Sequence, residues 1–332
     1  MSQRDDRPHQ AMGPGAEFDT IRLLMARWGD LAVDIGDDAA VLAPVGDRRI
    51  VVSTDACIEG AHFRRRWLSP FEIGVRAAAA AISDIAAMGA RADAILLALV
   101  VPDDWCGALV DIADGIAHVV RASSARIVGG NLSRGDVLGI TTTVIGSTTR
   151  PISRRGARPG DVLVVTGTLG GPGSAVAAWE AGQSPESWAR GRFASPVPRL
   201  AEGAALADAG AHAMLDLSDG LVADARHLAA ASGVRLIIDA ARIPVGDGIG
   251  RDAALRSGEE YELLAALAPD AAASLLRSWR ERFRVPLTMI GRVGEADPSG
   301  TVVVNGLTDG AAIENSGTAR VEFISGHDHF SQ

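Results

Sequence analysis

Residues 70–101 read PFEIGVRAAAAAISDIAAMGARADAILLALVV. Positions 70–88 favour a helix: Pro70 suits its opening, alanines fill its middle, and Gly89 suits its stop. From Ala94 to Val101 every residue is apolar, which reads as a strand buried in a sheet. The same alternation runs outward in both directions. Strands are expected at 50–54, 94–101, 137–145, 162–166, 213–217 and 235–239, and helices at 18–28, 70–88, 105–122, 199–209 and 221–231. The predicted class is α/β, with mixed sheets.

Between these elements, 147–160 (STTRPISRRGARPG) combines Thr, Pro, Gly and four arginines without apolar periodicity. It predicts a boundary between an N-terminal domain at 17–148 and a C-terminal domain at 149–330, while residues 1–16, polar and rich in Pro and Gly, read as a disordered leader. The uncharged run 162–179 contains four glycines and a proline, so it reads as strand, turn and helix rather than a membrane span.

Composition removes whole function classes. The chain has 332 residues and a net charge of −9, which disfavours a nucleic-acid partner. All 32 basic residues are Arg. Without Lys there is no Walker-type phosphate loop and no Schiff base. The two cysteines, Cys57 and Cys106, stand in no metal-ligand spacing and suit a reducing, cytoplasmic setting.

Within 77–90 only Ser83 and Asp84 are polar. A lone carboxylate on so apolar a helix costs several kcal/mol unless a metal ion, an Arg or helix-end amides compensate it. A structural Asp bonded to a neighbouring loop fits this segment equally well. Three further motifs add carboxylates at turns and strand ends: Gly36-Asp37-Asp38, Ser53-Thr54-Asp55 and Asp216-Leu217-Ser218-Asp219-Gly220. Each alone is compatible with turn or capping chemistry. Together they form an oxygen-only donor set, which suits Mg²⁺ better than zinc or copper. Mg²⁺ is commonly held by a few carboxylates plus substrate phosphates, so a phosphorylated substrate follows. Gly129-Gly130-Asn131 offers main-chain N–H groups for a phosphate, and Arg154 a planar charged fork. His62 is suited to a phosphate oxygen and one of the carboxylates Glu259, Glu260 and Glu262 to a cationic ligand; both motifs also fit as ordinary loop residues.

The order of these motifs resembles the thiamine-monophosphate kinase family. The resemblance rests on 36–40 (GDDAA), 53–55 (STD), 59–63 (EGAHF), 83–90 (SDIAAMGA), 129–131 (GGN), 154–161 (RRGARPGD), 166–170 (TGTLG), 216–221 (DLSDGL), 257–264 (SGEEYELL) and 329–330 (HF). It implies the two-domain fold of aminoimidazole-ribonucleotide synthetase and selenophosphate synthetase, with the N-terminal sheet forming a homodimer contact. It also implies ATP-dependent phosphoryl transfer to thiamine monophosphate, giving thiamine diphosphate and ADP. Several Mg²⁺ ions assist, and no general base is expected, because the attacking phosphate is already anionic. By the same resemblance, Asp38, Ser53, Thr54, Asp55, Asp84, Asp216 and Asp219 are metal ligands. Gly130, Asn131, Arg154 and Ser218 contact ATP, and His62, Glu259 and His327 contact the substrate. The chain departs from the family at Asn131, where Asp is common, at Glu260, where Asp is usual, and at His327, where an aromatic ring is typical.

Overall fold

The computed structural model describes residues 9–32, 35–306 and 318–320. The N-terminal half holds α1 (Ala16–Trp28), β1 (Ala40–Val41), β2 (Arg49–Ile58), α2 (Pro70–Ala87), β3 (Arg91–Val101), α3 (Leu109–Ala122), β4 (Arg126–Arg134) and β5 (Gly139–Thr148). Its five strands form one sheet in the order β1-β2-β5-β3-β4, antiparallel except for the parallel β3–β4 pair.

The C-terminal half continues with β6 (Val162–Thr166), α4 (Gly171–Glu180), α5 (Ser187–Ala194), α6 (Leu200–Asp208), β7 (Ala213–Asp216) and α7 (Leu221–Ser232). β8 (Val234–Asp239), α8 (Arg251–Arg256), β9 (Leu263–Leu267), α9 (Pro269–Arg282), β10 (Leu287–Ala296), β11 (Val302–Asn305) and β12 (Thr318–Arg320) complete it. A second mixed sheet of seven strands runs β12-β11-β8-β10-β6-β9-β7.

The helix α2 joins the two halves. It starts with a capping box, in which Ser69 accepts from the Glu72 N–H while the Glu72 carboxylate accepts from the Ser69 N–H. It is buried along most of its length because alanine leaves neighbours room on every side. Against α3, Gly74 and Gly115 meet almost backbone to backbone: a Cβ on Gly74 would lie 2.0 Å from the Ile112 carbonyl oxygen. Against α6, a Cβ on Gly203 would lie 2.2 Å from the Ala86 carbonyl oxygen. The C-terminal turns of α2 are thus wedged between the two sheets, and Ser83 and Asp84 sit there.

Candidate active site

Side chains alternate along β2, so Val51, Ser53, Asp55 and Cys57 share the face that meets α2. Ser53 Oγ donates to Asp84 Oδ2. One residue earlier on α2, Ser83 Oγ donates 2.5 Å to Asp216 Oδ2 at the end of β7. Asp38 arrives from the loop before β1, after Gly36 at φ 122°. Carboxylate oxygens of Asp38, Asp84 and Asp216 all lie within 4.8 Å of one another. They line a cleft of about 660 Å³ that is also walled by Asp37, Asp55, Arg154, Ser218 and Asp219.

This concentration of acid is under-compensated. Arg154 Nη2 pairs with Asp38 Oδ1 at 2.6 Å, and the Arg154 main-chain N–H donates 3.0 Å to Asp37 Oδ1. Among the described residues, Asp38 Oδ2 is buried without a hydrogen-bond partner. Burial pushes Asp84 well above the usual carboxylate range, and Asp216, Asp55 and Asp38 push it further. Asp216 rises to about 7, mainly by burial and then by the charge of Asp38. Asp37 rises to about 6, by burial and by Asp38. Three converging oxygen donors, one with an unused buried lone pair, fit a hard divalent cation.

Other predicted residues fall around this centre. Ser218 and Asp219 form the turn after β7, where the Asp219 and Gly220 N–H groups both donate to Asp224 Oδ2, at 3.1 and 3.0 Å. His62 Nδ1 accepts from the Ile58 N–H at 3.1 Å, which puts the proton of the neutral ring on Nε2. Glu259 adopts φ 59° and pairs with Arg76. His62 and Glu259 line both the acidic cleft and an adjoining one of about 370 Å³, whose walls include Trp67, Val176 and Phe193.

Three predicted residues stand apart from this group. Thr54 touches the cleft, but strand alternation turns its hydroxyl away from Ser53 and Asp55, toward Thr143 Oγ1 at 3.0 Å. Thr54, expected as a metal ligand, therefore presents its main chain rather than its hydroxyl to the acid group. Gly130 and Asn131 lie on β4, which is exposed along its whole length. In register they are level with Asp55 and Ala56 but three strands away, about 14 Å. His327 lies outside the described residues.

The structure adds residues that the motifs did not single out. Arg76 is buried in α2, and its signal was present: it is the only charged residue between Glu72 and Asp84. Asp224 and His227 on α7 carried no such signal, because only the fold turns them to the cleft. Burial, aided by the charge of Arg154, pushes His227 down to about 3. Residues 9–16, expected to belong to a disordered leader, instead make defined contacts along the cleft; residues 1–8 lie outside the described residues. Gln10 Nε2 donates 2.5 Å to Asp37 Oδ2, the Gly13 N–H donates 3.0 Å to His227 Nδ1, and the Phe18 and His227 rings stand 4.0 Å apart. The polar contacts of Gln10 and Gly13 hold the segment where composition alone suggested none, and Phe18 continues them just beyond it.

Comparison with known proteins agrees with this architecture. Residues 36–148 match the family described as AIR synthase related protein, N-terminal domain, and 158–304 match its C-terminal domain. A thiamine-monophosphate kinase from Mycobacterium tuberculosis is 37% identical over 264 residues, covering 75% of this chain and 78% of that protein. The solved structure of AaThiL complexed with AMPPCP and TMP is 30% identical, covers 87% of this chain and 93% of that one, and superposes with a TM-score of 0.76. The crystal structure of thiamine-monophosphate kinase from Stenotrophomonas maltophilia K279a is 34% identical, with 90% and 99% coverage and a TM-score of 0.73.

Proposed function

Since the chain belongs to the thiamine-monophosphate kinase family, within the AIR synthase related fold, we propose that its acidic cleft is where that reaction occurs. The enzyme transfers the γ-phosphoryl group of ATP to thiamine monophosphate, giving thiamine diphosphate and ADP. A phosphate oxygen of the acceptor bonds to the γ-phosphorus, and the bond from that phosphorus to the β–γ bridging oxygen breaks. The acceptor phosphate is largely dianionic near pH 7, since its second pKa is about 6, and so needs no general base.

The observation that carries this reading is the convergence of Asp38, Asp84 and Asp216 beside His62 and Glu259. Asp38, Asp84 and Asp216 would hold Mg²⁺, with Ser53, Asp55 and Asp219 at the margin of the same cleft. Bound Mg²⁺ supplies charge neutralisation between two polyanions and keeps the attacking and leaving oxygens in line. Arg154, anchored on Asp38, keeps further N–H donors for the triphosphate. Ser218 borders the same space. Gly130 and Asn131 remain proposed as distant nucleotide contacts, level with the site but farther along the sheet. The adjoining cleft suits the organic part of the acceptor: aromatic and aliphatic walls accept rings, and Glu259 complements the thiazolium charge.

The reading includes a homodimer formed through the N-terminal sheet. In support, Val128 on β4 is 58% exposed and Leu132 65%, while Leu96 and Val100 on β3 are also exposed, a larger apolar area than a lone sheet edge usually leaves in water. The reading also places the enzyme in the cytoplasm, where ATP is plentiful and free thiols such as Cys57 and Cys106 persist. Among the described residues no helix is long and apolar enough to cross a membrane.

The test is direct. The purified chain is mixed with ATP, MgCl₂ and thiamine monophosphate, and products are separated by chromatography. Thiamine diphosphate and ADP in equal amounts are expected. Release of inorganic phosphate with no thiamine diphosphate would sink the reading.

A further inference from the structure

Arg76 is the one charged side chain on α2 between Glu72 and Asp84. Only 3% of the residue is exposed, and it lines neither cleft. Its guanidinium nevertheless reaches three separate pieces of chain. Nη1 donates to the Phe193 carbonyl oxygen at the end of α5. Nη2 donates to Glu259 Oε2 in the loop before β9, and 3.5 Å to the His62 carbonyl oxygen in the loop after β2. The charged plane also lies 3.8 Å from the Phe193 ring centroid. His62, Phe193 and Glu259 all wall the smaller cleft.

Glu259 needs such a hold. At φ 59° its main chain is in the left-handed region, which costs about 1 kcal/mol or more for a residue that is not glycine. The backbone is secured by the Glu259 N–H, which donates 2.6 Å to the Ser218 carbonyl oxygen. The side chain is secured by Arg76 at one oxygen; among the described residues no donor reaches the other, Oε1. Arg76 also stands eight residues before Asp84 on the same helix, about 12 Å along a rigid rod. One element therefore sets both the acidic end of the site and the wall of the smaller cleft.

We propose that Arg76 is a positioning residue for acceptor recognition, aligning Glu259 and the His62 loop so that the organic part of the phosphorylated acceptor is gripped at a fixed distance from Asp84. The inference rests on the kinase reading and deepens it. A planar fork is required, because a lysine ammonium is a single point and cannot serve three acceptors spread around one plane.

The experiment is steady-state kinetics on the full chain, with thermal melts alongside, for Arg76→Lys, Arg76→Met, Glu259→Gln and the Arg76→Met/Glu259→Gln pair. Arg76→Lys is expected to raise KM for thiamine monophosphate about tenfold or more, the scale of one charged hydrogen bond. KM for ATP should move less than about threefold, so that the loss falls on acceptor binding. If Arg76 acts through Glu259, the double variant is no worse for the acceptor than the weaker single variant. Should Arg76→Met not fold, the folded Arg76→Lys protein decides. An acceptor KM within about threefold of the parent, or equal rises for both substrates, overturns the proposal. A parent enzyme that makes no thiamine diphosphate overturns the kinase reading and this inference with it.

Discussion

The carboxylates of Asp84 and Asp216 approach within 4.8 Å, although one stands on a helix of the N-terminal half and the other ends a strand of the C-terminal half. Two ionised groups at that distance repel by roughly 3 kcal/mol at an effective dielectric of about 20. Asp38 adds a third, and Arg154 pairs directly with Asp38 alone among the three. The fold maintains this repulsion between its two halves, which is intelligible if cations complete the site.

Replacing Asp84 with Asn tests that cost. Turnover should fall by about 100-fold or more, the scale of removing one group that stabilises developing charge. The metal-free variant should melt about 2–4 °C higher than the parent near pH 7, because a buried carboxyl that its acidic neighbours force to hold a proton has been replaced by a neutral amide. A lower melting temperature would assign Asp84 a structural role instead.

Acidity should act on the metal-free protein in a definite direction. Asp216 is raised from 3.8 to about 7 and Asp37 to about 6, with Asp84 and Asp224 shifted the same way. The folded chain keeps protons that the unfolded chain has released, so stability falls as pH rises from about 4 to about 7. His227, lowered to about 3, opposes this over the window from about 3 to 6.5 and offsets one of those protons. MgCl₂ should raise the melting temperature more near pH 8 than near pH 5.5, because its ligands bind deprotonated. Melts at both pH values, with and without the metal, check the sign; a larger Mg²⁺ effect at the acid end contradicts it.

Gly74→Ala addresses the scaffold. Its methyl group would be forced to within 2.0 Å of the Ile112 carbonyl oxygen, so α2 and α3 must separate. A loss of about 1–3 kcal/mol in urea unfolding is expected. An unchanged midpoint would mean that the helix pair is not as tightly seated as described.

The apolar outer surface of the N-terminal sheet gives a fourth test. Val100→Glu combined with Leu132→Glu places charge on two exposed positions, 41% and 65% accessible. The parent should sediment as a dimer and the variant as a monomer. A monomeric parent contradicts the proposed homodimer.

Much of the site was readable because burial and charge conflict openly in the sequence. Asp84 stands out against alanine, and Asp216 and Asp38 stand at strand ends and glycine turns. What strand alternation does to Thr54 was also readable in principle, since Ser53 and Asp55 cannot share a face with it. The partners of Arg76 were not: Phe193 and Glu259 lie 117 and 183 residues away, and no local pattern encodes that meeting. The strand β4 escaped as a full element because RIVGGNLSR has no buried face and so no alternation to detect. β10 is broken by glycines and register shifts, which blur its period.

The central claim is that acids from both halves of the chain jointly hold divalent cations. Anomalous scattering from a crystal soaked with Mn²⁺ and AMPPCP tests it most directly. Peaks between Asp38, Asp84 and Asp216 are predicted, lost from that position in Asp84→Asn. Manganese bound only elsewhere, with those three side chains solvated, would contradict the account.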